Sequence, residues 1–343
     1  VKTIVTVPPY APFLGEVAQH RLVSGVRINT TLPVDEPKED LLERIVNQAA
    51  GKDVWIDLKC RQLRIQDYHV QILNDHEVHT VRVSHPMTAS SGITAIFDDG
   101  KYEAKIHDIQ GDTLTFICCA EQGQGLPLPS QEDIGLRPGM SINIVDPSLK
   151  IDGYLTDRDK EYIEAAKKVG LHNYMLSYVE KKSDIEDLLK LDPEAKIVAK
   201  IETPKGLRFV KKHYQKYRGK VQLMAARGDL YIEVSHPAQL INAYRQIVRA
   251  DSDAIAASRI MGSVKPGQNA SCNDYSDVWL LQNLGYQTLM LGDIGAFKKD
   301  TVMQALDELD AAFSEYQKGA CYSLVPAKPS LPARIMDLIG GKR

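Results

Sequence analysis

The run KIVAKIETPKGLRFVKKHYQKYRGKVQLMAARGD, residues 196–229, carries a strand, a helix and a second strand with short joints between them. Lys196–Ile201 reads as the first strand and Val221–Ala226 as the second. Pro204–Tyr214 has the helical pattern, with Pro in its first turn, where a missing N–H costs nothing. The same beat recurs in both directions. Upstream, the strands are Lys2–Val7, Gly25–Thr30, Asp53–Leu58 and Asn173–Val179. Between them fall helical stretches at Gly15–Leu22, Lys38–Ala49, Asp157–Val169 (opened by Thr156 as N-cap) and Ser183–Leu191. Downstream, Pro237–Ala250, Ser271–Leu284 and Thr301–Tyr316 read as helices, with strands Ala254–Ser258 and Gln287–Leu291 between them.

One interval breaks the rhythm. From Arg64 to Ile144 no long helical period occurs. Short alternating runs appear instead, at His69–Leu73, Thr80–Val83, Thr94–Phe97, Tyr102–Ile106 and Thr113–Cys119, with turn signals at Asp99-Gly100 and Gly111-Asp112. Eight strand–helix units over roughly 250 residues have the dimensions of a (β/α)8 barrel. The expected fold is therefore α/β, a TIM barrel with a small all-β domain inserted after strand three. The boundaries are a barrel over 1–62 and 147–317, a β-domain or lid over 63–146, and a Pro-rich tail over 318–343. An open doubly wound sheet is the competing fold, but no Gly-rich fingerprint follows the first strand.

Chemistry on such a barrel sits at the C-terminal ends of the strands. Those ends carry Arg27 and Asn29, Asp57 and Lys59 with Arg64 beyond, Lys200 and Glu202, Arg227-Gly228-Asp229, Ser258 and Arg259, and Asp293. Strand four adds no polar end. Lys200 and Glu202 are two apart and share a face. A charged pair aimed into a barrel mouth is costly unless matched. Glu202 and Asp229, from adjacent strands, could share one hard divalent cation, with Lys200 facing the bound substrate as a second positive charge. That arrangement stabilises a developing enolate. The plainer reading of each residue alone is a salt bridge closing the barrel end. The number of strands that contribute favours a site.

Several segments resemble the pyruvate kinase family. Val26–Thr31, VRINTT, is similar to its RLNFS, and Asp57–Arg64, DLKCRQLR, to its DTKGPEIR. Lys200–Glu202, KIE, is similar to its SKIEN, Ala226–Glu233, ARGDLYIE, to its ARGDLGIE, and Ala257–Met261, ASRIM, to its ATQML. Ser276–Val278, Leu289–Leu291 and the IFDDG of Ile96–Gly100 also match, and all are collinear. ARGDL with the upstream KIE is the specific part. The resemblance implies Mg2+ (or Mn2+) on Glu202 and Asp229, and Lys200 on the enolate of pyruvate and the phosphoryl group in flight. It gives the substrate carboxylate to the backbone of Gly228 and Asp229 and the hydroxyl of Ser258, with Arg227 beside them. Arg27 and Arg64 would meet phosphate. Asn29, Thr31 and Asp57 would hold a monovalent cation, and Asp98 or Asp99 would approach when the lid closes.

The departures concern the nucleotide side. Leu58 replaces a Thr of the monovalent-cation site, which argues against potassium dependence. Leu32 stands where a His lines the nucleotide, and Cys60-Arg61-Gln62 replaces Gly-Pro-Glu. Tyr231 replaces the Gly of RGDLG, and the lid's KxGVNLPG-type segment is poorly kept around Ser141–Asp146. The family's C-terminal domain has no room, so control through it is not expected.

Three functions compete. The first is a kinase moving a phosphoryl group between phosphoenolpyruvate and ADP. The second is a metal-dependent lyase, aldolase or phosphatase-like enzyme using the same enolate, and the third a non-catalytic metabolite-binding descendant. The expected ligands are a 2-oxo acid or phosphoenolpyruvate and ADP or ATP, with a homo-oligomer left open. Forty-two Lys and Arg against 45 Asp and Glu leave a net charge of -3, no footprint for nonspecific nucleic-acid binding. No apolar run reaches the ~18 residues of a membrane span. Val1–Pro9 lacks a signal-peptide pattern, although a removed leader stays open. Cys60, Cys118, Cys119, Cys272 and Cys321 are odd in number and scattered, which points to a reducing cytoplasm. The vicinal pair is expected to pack within a strand. Trp55 alternates with Asp57 toward the barrel interior, and Trp279 fits a helix–barrel contact. His76 and His79, three apart, read as part of a polar lid loop.

Overall fold

The computed structural model describes residues 1–73, 76–90, 92–97, 100, 102–118, 136–292 and 298–319. Asp98, Asp99, Cys119, Asp293, Cys321 and the tail beyond residue 319 lie outside the described residues. The barrel begins with β1 (Lys2–Thr6), β2 (Val23–Asn29) and β3 (Asp53–Leu58), separated by α1 (Leu14–Gln19) and α2 (Lys38–Gln48). The inserted strands follow: β4 (Ile65–Leu73), β5 (His76–Val83), β6 (Met87–Thr88), β7 (Thr94–Phe97), β8 (Tyr102–Lys105), β9 (Asp108–Gln110), β10 (Thr113–Cys118), β11 (Ile142–Ile144) and β12 (Lys150–Ile151). The alternation then resumes with α3 (Asp157–Lys168), β13 (Asn173–Leu176), α4 (Lys182–Leu191), β14 (Lys196–Ile201), α5 (Pro204–Lys212) and β15 (Val221–Ala226). It ends with α6 (Arg227–Glu233), α7 (Leu240–Ala250), β16 (Ile255–Ala257), α8 (Cys272–Leu284), β17 (Thr288–Leu291) and α9 (Lys299–Gly319).

The strands close in the order β1-β17-β16-β15-β14-β13-β3-β2, each parallel to its neighbours. This is the TIM barrel expected from the alternation, with antiparallel sheets inserted after its third strand. In the insertion, β4-β5-β10-β9 form one sheet and β11-β7-β8 a second. Val81, Phe97, Leu114 and Phe116 fill their shared core, with the two Phe rings edge to face at 5.7 Å.

The barrel interior is layered, and the layering creates the site. Ile4, Trp55, Met175, Val198, Met224, Ile255, Ala257 and Met290 form an apolar plug. Trp55 fits because its neighbour is Gly25, where a Cβ would meet the indole at 3.2 Å and the Asp53 carbonyl at 2.9 Å. Two residues further along the strands, the inward positions become Thr6, Arg27, Asp57, Ser177 and Lys200. The period of two thus stacks a charged layer on a dry floor.

Helix caps hold the strand exits in place. Thr156 Oγ1 accepts the Asp159 N–H at 3.0 Å, and the Asp159 carboxylate accepts the Thr156 N–H at 2.9 Å, a capping box. The same buried carboxylate accepts the N–H groups of Lys59 and Cys60 at 2.9 and 3.0 Å. Cys60 needs that anchor, since its φ of 47° puts a side chain in the left-handed region.

Three local expectations need correction, and one element is added. Strand four ends at Leu176 rather than Val179, because Tyr178 turns out at φ 52°. The residues after Ala226, given no element from the sequence, form a short helix, α6. Trp279 is 48% exposed on α8 instead of packing between helix and barrel. His76–His79 lies within β5, paired with β4 and β10, and not in a loop.

Candidate active site at the mouth of the barrel

Asp57 is the centre of the charged layer. It is fully buried and receives three cations. Arg27 donates from Nε at 3.0 Å and from a terminal nitrogen, Lys59 Nζ at 2.7 Å, and Lys200 Nζ at 3.1 Å. Burial alone would push this carboxyl up. The Lys200, Lys59 and Arg27 charges outweigh burial and hold it well below the usual carboxylate range. The crowding has the opposite consequence for Lys59. Its burial, with Arg27, Lys200 and Arg64 nearby, outweighs the attraction of Asp57 and lowers it to about 7. Lys200 escapes that fate because it has two acids: Asp57, and Glu202 Oε1 at 3.2 Å. They overcome its burial and raise it above an ordinary lysine. Ser177 Oγ accepts a further Lys200 hydrogen bond at 2.8 Å.

Beside this ring lies a cluster of three acids. Glu202 Oε2 accepts the Tyr178 backbone N–H at 2.5 Å. Its Oε1 faces Lys200 but has no hydrogen-bond partner among the described residues. Burial, with Asp229 nearby, outweighs Lys200 and raises the Glu202 carboxyl to about 7. Asp229 sits in the first turn of α6 and Glu233 one turn later. The Tyr178 hydroxyl lies 3.1 Å from Asp229 Oδ1 and 3.4 Å from Glu233 Oε1. Gln62 Nε2 donates to both Asp229 oxygens at 3.3 Å, and Asn143 Nδ2 donates to Glu233 at 2.9 Å. Burial, then Asp229 and Glu180, raise Glu233 to about 8 against the hydrogen bond from Asn143. Gln62 and Asn143 come from the two ends of the insertion, so the lid's roots are tied directly to the acids.

The other expected residues divide into those near this cluster and those turned elsewhere. Arg27 also donates to Thr6 Oγ1 at 3.1 Å. Arg64 donates to Gln62 Oε1 and to the Gly139 carbonyl at 2.8 Å. Ser258 has φ 70° and is followed by Arg259 at 56°, a strained pair at the exit of β16. Its Oγ lies 3.7 Å from where a Gly228 Cβ would stand, so the two positions face each other across the mouth. Arg227 points away from this group. Its Nη2 donates to both Asp277 oxygens at 2.7 Å, and its guanidinium lies 5.5 Å from the Tyr244 ring centre. Of the residues expected at a monovalent cation, Asn29 stands opposite Asp57 in the strand register and beside Thr31. Asn29 Oδ1 accepts the Thr31 N–H and hydroxyl at 3.2 and 2.9 Å, and Asp57 is already surrounded by three cations.

The acid cluster fits a magnesium or manganese ion. Among the described residues no set of three or more His, Cys, Asp or Glu forms a metal cage. Magnesium does not require one: about one or two carboxylates with substrate oxygens and water suffice. Glu202 Oε1 is a buried acceptor without a hydrogen bond among the described residues, and the Asp229 charge raises the Glu202 carboxyl. A divalent cation between them would relieve both.

A family description, the barrel domain of pyruvate kinase, matches residues 44–293, well over half of the chain. The chain belongs to the pyruvate kinase barrel family. Among curated relatives, the pyruvate kinase of Thermoplasma acidophilum is 23% identical over 320 residues, 87% of this chain and 55% of its own length. That of Borreliella burgdorferi is 24% identical over 216 residues, 61% of this chain and 42% of its own. That of Thermotoga maritima is 27% identical over 165 residues, 47% and 32%. The chain therefore spans about half, or less, of the length of the relatives it matches.

Sequence reasoning missed part of the site. Strand four, expected to contribute nothing, supplies Ser177 to Lys200 and Tyr178 to Glu202, Asp229 and Glu233. The run MLSYV is apolar around them and reads as plain strand. Gln62 and Asn143 carry no chemical signature at all, since their role depends on where the lid joins the barrel.

Proposed function

We propose that the chain is the barrel-and-lid part of a phosphotransferase acting between phosphoenolpyruvate and ADP, through a pyruvate enolate held at Glu202, Asp229 and Lys200. The single observation that carries this is the pairing of Lys200, raised above an ordinary lysine, with a Glu202 oxygen left without a hydrogen bond. A permanent positive charge thus stands beside an open carboxylate in a water-poor pocket. Mg2+ or Mn2+ on Glu202 and Asp229 would supply Lewis-acid stabilisation of the enolate oxygen.

The chain's own groups supply the rest. Lys200 stabilises the enolate oxygen and the phosphoryl group by charge. Its position is fixed by Asp57 and Ser177, so it does not have to reorganise as the charge develops. Arg27 and Arg64 neutralise phosphate, and Lys59 adds a third, titratable charge nearby. The backbone amides of Gly228 and Asp229, which no side chain caps, bind the substrate carboxylate together with Ser258. Arg227 acts as a positioning residue that fixes the start of α6 through Asp277. Arg27, Lys59 and Lys200 already supply the positive charge around Asp57, so potassium is not required. Phosphoryl transfer needs little beyond such positioning and neutralisation. We take the barrel as 1–62 and 147–317 and the lid as 63–146, in a protein acting in the reducing cytoplasm.

One observation favours the lyase reading. Tyr231 stacks under the Arg259 guanidinium, 4.5 Å from ring centre to carbon, next to Ser258. That pair adds bulk and charge where a larger 2-oxo acid would extend. Phosphorus NMR of phosphoenolpyruvate with magnesium, with and without ADP, separates the readings. Signal moving to ATP only with ADP is the expected result. Phosphate released without ADP would replace the kinase by a phosphatase-like reaction, and no change in either tube would sink the kinase and leave the lyase and the metabolite-binding protein as survivors.

A further inference from the structure

A cavity of about 550 Å³, lined by Tyr178 and Glu233 and not by Lys200, opens between lid and barrel. Its size is that of a small-molecule pocket, roughly 300–1,000 Å³. The lid side is apolar: Leu63, Ile142 and Ile144 are buried there, and Leu149 and Ile151 continue the wall. The barrel side is basic. Lys181 precedes α4, Lys205 and Arg208 lie on the first turns of α5, and Lys150 faces them from the returning strand. None of the four has a carboxylate partner among the described residues. The acids of the cavity, by contrast, are engaged. Asp146 takes the Ser148 N–H at 2.8 Å, Glu180 takes the Thr203 hydroxyl at 2.7 Å, and Glu233 takes Asn143. The fifth cation, Arg61, is spent on Asp184 at 3.1 Å.

We propose that this cavity is a second ligand site, built for an organic anion with an apolar body. The body lies along Leu63, Ile142, Ile144 and Leu149, and the acid group meets Lys181, Lys205 and Arg208. Two features support the class. Four cations without a carboxylate partner among the described residues line the cavity, and the Leu149 carbonyl that Lys205 meets at 3.4 Å leaves that charge unmatched. The wall opposite them is apolar, and its half-buried Leu149 and Ile151 leave apolar surface that a ligand body would cover. Because one wall is lid and the other barrel, a bound anion would also brace the lid against the barrel. None of this depends on which reaction the mouth performs.

The test uses two probes with the same aromatic body. Anilinonaphthalene sulfonate carries an anionic group, and its parent phenylnaphthylamine carries none. Fluorescence titration of the full chain should show saturable binding of the sulfonate. The uncharged parent should bind roughly tenfold or more weakly. Lys205→Glu with Arg208→Glu reverses the rim, and Val145→Trp fills the cavity from a position that is 42% exposed, away from the lid core. Each should weaken sulfonate binding by roughly tenfold while leaving the thermal midpoint and magnesium-dependent oxalate binding at Lys200 unchanged. Equal affinity for both probes would remove the anionic half of the proposal. Binding untouched by both variants, or no saturable binding, would overturn it altogether.

Discussion

Replacing Lys200 with Met should destabilise the fold by about 2 kcal/mol at pH 6 and about 4 kcal/mol at pH 9. The methionine keeps most of the side chain's volume and removes only the ammonium. Asp57 keeps Arg27 and Lys59, so its loss is small. Among the described residues, Glu202 loses its one ion-pair partner and keeps the Tyr178 N–H. Stripping one partner from a buried pair costs about 3–5 kcal/mol, and relief of the repulsion that Lys59 feels from Lys200 offsets part of it. The pH dependence follows from Glu202. Its carboxyl is raised to about 7 in the folded protein from an ordinary value of 4.5. Such a group contributes its full stability below the unfolded value and loses it as pH rises through the folded value. Without Lys200 the folded value moves higher, so the variant goes on losing stability above pH 7, by up to about 1.4 kcal/mol per unit. Urea unfolding followed by the fluorescence of Trp55, buried in the barrel plug, reads both numbers. A difference below about 1 kcal/mol and equal at the two pH values would refute the charge-network account of this residue.

Asp229→Ala should abolish magnesium-dependent binding of oxalate, a mimic of the enolate; undiminished heat in calorimetry would remove Asp229 from the metal site. Magnesium affinity should rise with pH between 6 and 8, since Glu202 must lose its proton near 7 to bind, and a flat profile would speak against that carboxylate. Asp277→Ala should cost about 3 kcal/mol by stranding buried Arg227, yet leave oxalate affinity unchanged; a drop in affinity without loss of stability would return Arg227 to the substrate. Tyr178→Phe should cost about 1–3 kcal/mol, because its hydroxyl lies against Asp229 and Glu233 and accepts from Asn143 Nδ2 at 2.7 Å, and all three lose a partner; denaturation at neutral pH checks it.

The sequence exposes most of the fold because the barrel repeats one unit. Each strand is a short apolar run and each following helix has its own period, so β14 and β15 can be read to the residue. The charged layer is legible for the same reason: two-residue alternation carries Gly25 to Arg27, Trp55 to Asp57 and Val198 to Lys200. Legibility fails where function depends on a single backbone turn. Nothing in the sequence says that Tyr178 leaves the strand at φ 52° and delivers both its amide and its hydroxyl to the acids. The helix Arg227–Glu233 was equally hidden, because it buries few side chains and has no cap. Trp279 misled because a large apolar residue is expected inside, although isolated exposed ones are ordinary.

A mouth that makes a pyruvate enolate, as proposed, must also exchange the pyruvate methyl protons. Proton NMR in heavy water, with magnesium and inorganic phosphate, should show the methyl signal decaying with the wild-type chain. Without magnesium the signal should persist, and in Lys200→Met the decay should slow by about 10²–10³. A chain that binds oxalate with magnesium yet leaves the methyl signal intact would contradict the claim.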